Sequence, residues 1–240
     1  MAKREDSTIP LLPDNTYHIY NRGINRGNIF FQERNYLFFL QQFQKYCSSY
    51  LDTFAYCLIP NHFHIAIRPK NEREIFRIVE NTYQRLPKGF LNSLFSKNVD
   101  FDADVNNLSR IPVKLARESA TWFVSNQIKI MLTSFSKSIN IQEERCGSLF
   151  EKSFKRKLIE SEKQFQYLIW YIHRNPVHHK LQSSPADYKY SSYRSFLSNK
   201  PSLLCREEVF EAFHGKDSFL QHHEQGLSLW KDMEAVNLEI

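Results

Sequence analysis

Leu58-Ile59-Pro60-Asn61-His62-Phe63-His64-Ile65-Ala66-Ile67 is the stretch from which the architecture can be read outward. Pro60-Asn61 is turn chemistry, and the residues after it alternate as in a β-strand. Successive strand side chains point to opposite faces, so His62 and His64 project together, their Cα atoms about 6–7 Å apart. Phe63, Ile65 and Ile67 fall on the other face and suit a hydrophobic core. Two imidazoles at that spacing can reach one cation, although a polar strand face carrying two histidines by chance has the same local pattern. A third element is needed to separate these readings.

The flanking segments supply the frame. Thr53–Ile59 reads as a strand that pairs with the histidine strand in an antiparallel hairpin, and Thr16–Tyr20 as an earlier strand rich in aromatic and β-branched residues. Helical spacing marks 33–50 through Tyr36, Leu37, Leu40 and Phe43, and 71–86 through Ile75, Ile78, Val79 and Tyr83. Strand, helix, strand, strand, helix opens a split βαβ unit. The expected fold is therefore α+β: a ferredoxin-like split-βαβ antiparallel sheet with helices on one face, a helical insertion and a C-terminal extension. Residues 1–13 read as a flexible arm, 14–198 as the main domain and 199–240 as the helical extension. Residues 87–112 interrupt the pattern as an inserted segment. Its run Asp100-Phe101-Asp102-Ala103-Asp104 opens like a calcium loop but lacks the sixth-position glycine, and Ile111 stands where the twelfth-position glutamate belongs. A long helix is expected from Ala116 to Ile139.

The 240 residues are 42% hydrophobic and 15% aromatic, enough for a sizeable core. The formal charge of +6 and pI near 9.0 favour a polyanionic partner, nucleic acid before an acidic membrane, though many proteins without one are equally basic. Cys47, Cys57, Cys146 and Cys205 form no C-x-x-C pair, which disfavours a zinc knuckle and fits free thiols in a reducing cytosol. The N-terminus has no signal-peptide core, and no stretch approaches roughly 18 apolar residues. A cytoplasmic protein with no membrane partner is the expectation.

Two segments carry cations. Asn21-Arg22-Gly23-Ile24-Asn25-Arg26-Gly27-Asn28 is a glycine-punctuated loop whose arginines suit phosphates or an ordinary solvated turn equally. Gly147–Ile159 interleaves aromatics with Lys152, Lys155, Arg156 and Lys157 and ends as a strand. Such a segment can track a phosphate backbone, and lysines also guard an edge strand against aggregation.

The third element follows. Ser161-Glu162-Lys163-Gln164 is a capping box that starts a helix. Tyr167, Tyr171 and Asn175 step by four along one of its faces, and Pro176 predicts its end near Asn175. By itself Tyr171 also fits a half-buried packing residue.

Taken in order, Tyr17–Gly23, Ala55–His64, Gly147–Phe154, Tyr171-Ile172-His173-Arg174-Asn175-Pro176-Val177 and Tyr188-Lys189-Tyr190-Ser191-Ser192-Tyr193 resemble the motifs of the single-tyrosine HUH transposases. The branch resembled is that of the REP-associated tyrosine transposases and their insertion-sequence relatives, over roughly residues 14–198. The resemblance implies that His62 and His64 hold a divalent metal, Mg²⁺ or Mn²⁺, that Asn175 can complete the site through its amide oxygen, and that Tyr171 is the nucleophile. It implies a 5′-phosphotyrosine, a free 3′-hydroxyl, and single-stranded, hairpin-forming DNA as partner. Family members act as tyrosine-exchanging homodimers or as monomers, and the sequence leaves that choice open. Tyr20, Arg22, Arg26, Lys152, Lys155 and Arg156 are the candidate DNA contacts on composition. The 87–112 segment departs from the family's usual connection.

Two other readings compete. One is a hairpin-DNA-binding regulator without catalysis; the other is a metallohydrolase, disfavoured by the absence of H-E-x-x-H and the scarcity of nearby carboxylates.

Overall fold

In the computed structural model, which describes residues 7–83 and 113–225, the histidine strand lies inside a four-stranded antiparallel sheet. The strands are β1 (Thr16–Arg22), β2 (Leu51–Ile59), β3 (His62–Pro69) and β4 (Lys155–Ile159), in the order β2-β3-β1-β4. β3 is antiparallel to both β1 and β2, so those two run parallel with β3 between them, the split βαβ arrangement. The fold is α+β.

Register turns local alternation into two chemically different faces. Tyr20 and Cys57 lie opposite His64, Arg22 and Ile59 lie opposite His62, and Lys155 lies opposite Tyr20. Because pairing keeps partners on one side of a sheet, His18, Tyr20, Arg22, His62, His64, Lys155 and Lys157 share a face. Tyr17, Ile19, Leu58, Phe63, Ile65 and Ile67 occupy the other and are buried in one core.

Helices α1 (Glu33–Tyr46), α2 (Glu72–Tyr83) and α3 (Val113–Gln142) belong to that apolar side. Phe39 of α1 and Phe135 of α3 meet edge to face at 5.1 Å, and Phe39 lies 5.1 Å from Phe63 of β3. Phe63 is fully buried, and Phe63→Ala would cost about 3–5 kcal/mol through lost burial and the cavity left behind. Asn35 closes the start of α1 as a capping box with Gln32 and also bonds Gln142 at the end of α3.

The opposite face is covered by α4 (Glu162–His178), the tyrosine helix, which packs on β2 and β3. Its N-cap Ser161 accepts from the Gln164 amide, as the capping box predicts. Beyond it lie α5 (Tyr193–Leu197), α6 (Arg206–Ala212) and α7 (Lys216–Gln225). Phe196, Val209, Phe213 and Phe219 share a second core with Leu168, Ile169 and Ile172 of α4. The C-terminal segment, as far as Gln225, is thus built onto the tyrosine helix. Residues 188–192 run along the edge of β2: Leu58 N–H donates to the Tyr190 carbonyl, and Tyr188 Oη donates to the Leu58 carbonyl. The outer edge is therefore partly covered.

Several boundaries differ from expectation. β1 extends to Arg22, and α1 stops at Tyr46 because Cys47–Tyr50 turn the chain into β2. α3 is longer at both ends than 116–139. α4 does not end at Asn175 but continues through Pro176 to His178. A proline so near the C-terminus deletes one intrahelical bond, and burial of Asn175 and Pro176 holds the last turn in place. The arm is not loose where it is described: Leu11 is fully buried, and Leu12 N–H donates to Tyr17 Oη. The segment 87–112, with its Asp100–Asp104 run, lies outside the described residues. Among the described residues no helix is long and apolar enough to cross a membrane.

Candidate active site

The site grows from the turn between β2 and β3. Ile29 and Phe30 N–H groups donate to the Pro60 carbonyl, and Gly23 N–H donates to that of Asn61, which ties the basic loop to the turn. A Cβ on Gly23 would lie 2.1 Å from the Gly27 carbonyl oxygen, so this crossing requires glycine. Asn61 Nδ2 donates to the Arg26 carbonyl, which orients the amide and leaves Oδ1 2.8 Å from His62 Nδ1. An amide oxygen only accepts, so His62 carries its proton on Nδ1 and, when neutral, its bare lone pair on Nε2.

His64 is engaged on both nitrogens. Its Nδ1 lies 2.9 Å from Nε2 of His18, and its Nε2 lies 3.2 Å from Nδ2 of Asn175 on α4. The rings of His62 and His64 are 4.9 Å apart at 85°. Tyr171, one turn before Asn175, places its ring edge to face against His64 at 5.3 Å. Tyr171 is 9% exposed, whereas His64 and Asn175 are fully enclosed. The structure thus brings His62, His64, Tyr171 and Asn175 of one chain together.

Burial sets the charge state. It pushes His62 down to about 3, helped by His179 and Arg22 and opposed by the Asn175 side chain, and holds His64 well below its ordinary value, with His18, His62, His179 and Arg22 adding to the effect. Both imidazoles are consequently neutral near pH 7, the state in which they can ligate a metal. Asn175 Oδ1 is buried and has no hydrogen-bond partner. Two neutral imidazoles and an unpartnered amide oxygen fit a divalent cation, although a softer site would be expected to contain thiolates. Among the described residues no three His, Cys, Asp or Glu side chains form a metal-binding group, so an amide would have to supply the third donor.

A cleft of about 600 Å³ opens at the end of β1 and is lined by Tyr20, Asn21, Arg22, Arg26, Lys152 and Lys155, with Glu151 also on its wall. Lys155 Nζ sits 5.7 Å over the Tyr20 ring, and that ring is 6.2 Å from His64. Five of the six candidate DNA contacts therefore converge here. Arg156 does not: strand alternation sends it to the other face, where it is buried, donates to Ser125 Oγ and lies 4.3 Å over Phe154. Its place in a basic run concealed that inward turn.

The sequence reading missed three residues at the site. Asn61 fixes His62, His18 bonds His64, and the His179 ring lies 4.8 Å from that of His62. His18 shares a strand face with Tyr20 and Arg22, a signal visible in the alternation of β1. Its juxtaposition with His64 depends on cross-strand register, which the sequence does not display.

No family model matches the chain, and no curated protein matches it. A solved structure, that of a REP-associated tyrosine transposase bound to a REP hairpin, is similar at 13% identity with a TM-score of 0.48, over 84% of this chain and 89% of that chain. So distant a likeness assigns neither residues nor activity.

Proposed function

We propose that this protein cleaves and rejoins single-stranded DNA, with Tyr171 as the nucleophile and a hairpin-associated site as substrate, the chemistry of DNA transposition. The observation that carries the reading is the Tyr171 ring set against His64, whose Nε2 faces Asn175, on the sheet face that also carries Tyr20, Arg22 and Lys155 of the cleft. In this reading residues 14–198 are the catalytic unit.

Tyr20, Arg22, Arg26, Lys152 and Lys155 bind the strand, the cations on phosphates and the tyrosine ring on an unstacked base. Tyr171 Oη attacks the scissile phosphorus. A phosphorus–Oη bond forms and the bond to the 3′-oxygen breaks; the phenol releases its proton to solvent and the 3′-oxygen takes one up. The products are a 5′-phosphotyrosine and a 3′-hydroxyl. A later 3′-hydroxyl reverses the step, so the linkage conserves the bond without a nucleotide cofactor. Once Asn175 Nδ2 gives up its bond to His64 Nε2, His62 and His64 through Nε2, with Asn175 through Oδ1, would hold Mg²⁺ or Mn²⁺, which when bound supplies positive charge for the phosphate oxygens.

The test uses single-stranded hairpins with randomised flanks, each carrying a nick that lets the leaving strand diffuse away. The full chain with Mn²⁺ should give a denaturation-resistant protein–DNA adduct, abolished by EDTA and by Tyr171→Phe. Binding without an adduct would leave a hairpin-binding regulator. Cleavage to free ends without an adduct would assign the chemistry to water.

A further inference from the structure

A buried histidine contact at the candidate metal site plays no part in the proposed chemistry. His18 on β1 is fully enclosed, and its Nε2 lies 2.9 Å from Nδ1 of His64. The two rings stack at 5.1 Å, and His18 also stacks on Tyr20 at 4.7 Å. His18 Nδ1 is itself buried without a hydrogen-bond partner. Hydrophobic packing alone would account for the stacking, but not for an aligned nitrogen pair in an enclosed site.

Proton bookkeeping gives the pair a direction. An amide nitrogen only donates, so Asn175 Nδ2 at 3.2 Å requires a bare lone pair on His64 Nε2. A neutral His64 then has its proton on Nδ1, which donates to Nε2 of His18 and leaves the His18 proton on Nδ1. Reversing the bond would place a proton on His64 Nε2 and abolish the lone pair that could reach a cation. The two proton arrangements are mutually exclusive, and one of them is competent for ligation.

We infer that His18 is a positioning residue that fixes the tautomer of His64, accepting its Nδ1 proton so that the Nε2 lone pair faces Asn175. This rests on the proposed metal site for its functional meaning, though the tautomer itself does not. Ligating histidines ordinarily donate their second nitrogen to an oxygen acceptor; here the acceptor is a second neutral imidazole. The choice of acceptor follows from the sheet, because His18 lies on the neighbouring strand and no carboxylate faces His64 from it.

The experiment uses the full chain, with His18→Leu and His18→Gln as variants, because a glutamine oxygen can accept a proton and a leucine cannot. Nitrogen-15 spectra of the metal-free protein should show His64 protonated on Nδ1 and bare on Nε2. In His18→Leu the population should move toward the Nε2–H form. Mn²⁺ affinity, measured by calorimetry with the metal alone, should fall about 10–100-fold in His18→Leu and largely recover in His18→Gln. His64 protonated on Nε2 in the natural chain would overturn the inference. So would Mn²⁺ affinity in His18→Leu within twofold of the natural chain, or a glutamine variant no better than leucine. If His18→Leu fails to fold, the natural chain's spectra and the glutamine variant still decide. If the natural chain binds no Mn²⁺, the metal site fails while the tautomer result stands on its own.

Discussion

The imidazole of His64 and the phenol ring of Tyr171 meet edge to face, centroids 5.3 Å apart and planes at 88°. Phenylalanine supplies the same ring for this contact, so packing and chemistry can be probed by different substitutions. Tyr171→Phe keeps the packing and should unfold within about 1.5 kcal/mol of the natural chain. Tyr171→Ala leaves a cavity and should cost about 3–5 kcal/mol. Urea unfolding checks both, and the phenylalanine variant should also form no DNA adduct.

Asn175 gives a sharper test of the metal site, since its buried Oδ1 has no partner. Asn175→Leu removes that orphan but also the Nδ2 donor to His64 Nε2, which is left buried without a partner, so the fold should lose about 1–3 kcal/mol. Mn²⁺ affinity of the folded protein should also fall tenfold or more, equivalent to about 1.4 kcal/mol. Calorimetry with unchanged affinity would remove Asn175 from the ligand set.

The cleft and Arg156 should behave oppositely. Lys152→Ala and Lys155→Ala remove cations from the cleft and should weaken single-stranded DNA binding, each lost phosphate contact lowering the salt slope by about 0.7. Arg156→Ala should leave that slope intact and lower stability, because Arg156 is buried against Phe154 and Ser125. Fluorescence anisotropy across a salt series, beside urea unfolding, distinguishes the two outcomes.

A second imidazole pair makes stability depend on pH. His223 Nδ1 donates to the Phe219 carbonyl, so its Nε2 accepts from His173 Nδ1, and His173 Nε2 lies 2.9 Å from Ser192 Oγ. Burial pushes His223 down to about 4, against the Phe219 bond that raises it, with His222 and Arg174 nearby adding to the fall. A folded-state value below the unfolded one means the unfolded chain binds more protons, so stability is full above about pH 6.5 and is lost as pH falls toward 4. At pH 5 the His223 share is about 2 kcal/mol. His18 and His62, each pushed down to about 3, act in the same direction. Urea curves at pH 7.5 and 5 should show the loss, and His223→Gln should reduce the difference by the His223 share.

What the chain's order determines by itself is local. The pleat puts His62 and His64 on one face and Phe63 on the other, and a four-residue step puts Tyr171 and Asn175 on one side of a helix, whatever surrounds them. The capping box at Ser161 and the split βαβ order follow from the same short-range rules. Tertiary structure decided the neighbours. Strand register set His18 against His64 and Arg22 opposite His62, and the same pairing turned Arg156 away from the cleft. Burial of Asn175 and Pro176 carried α4 past the proline that local preference would have made its end. A periodic pattern states which side chains leave an element together; which element receives them is settled by contacts between residues far apart in the chain, whose free energy no single segment contains.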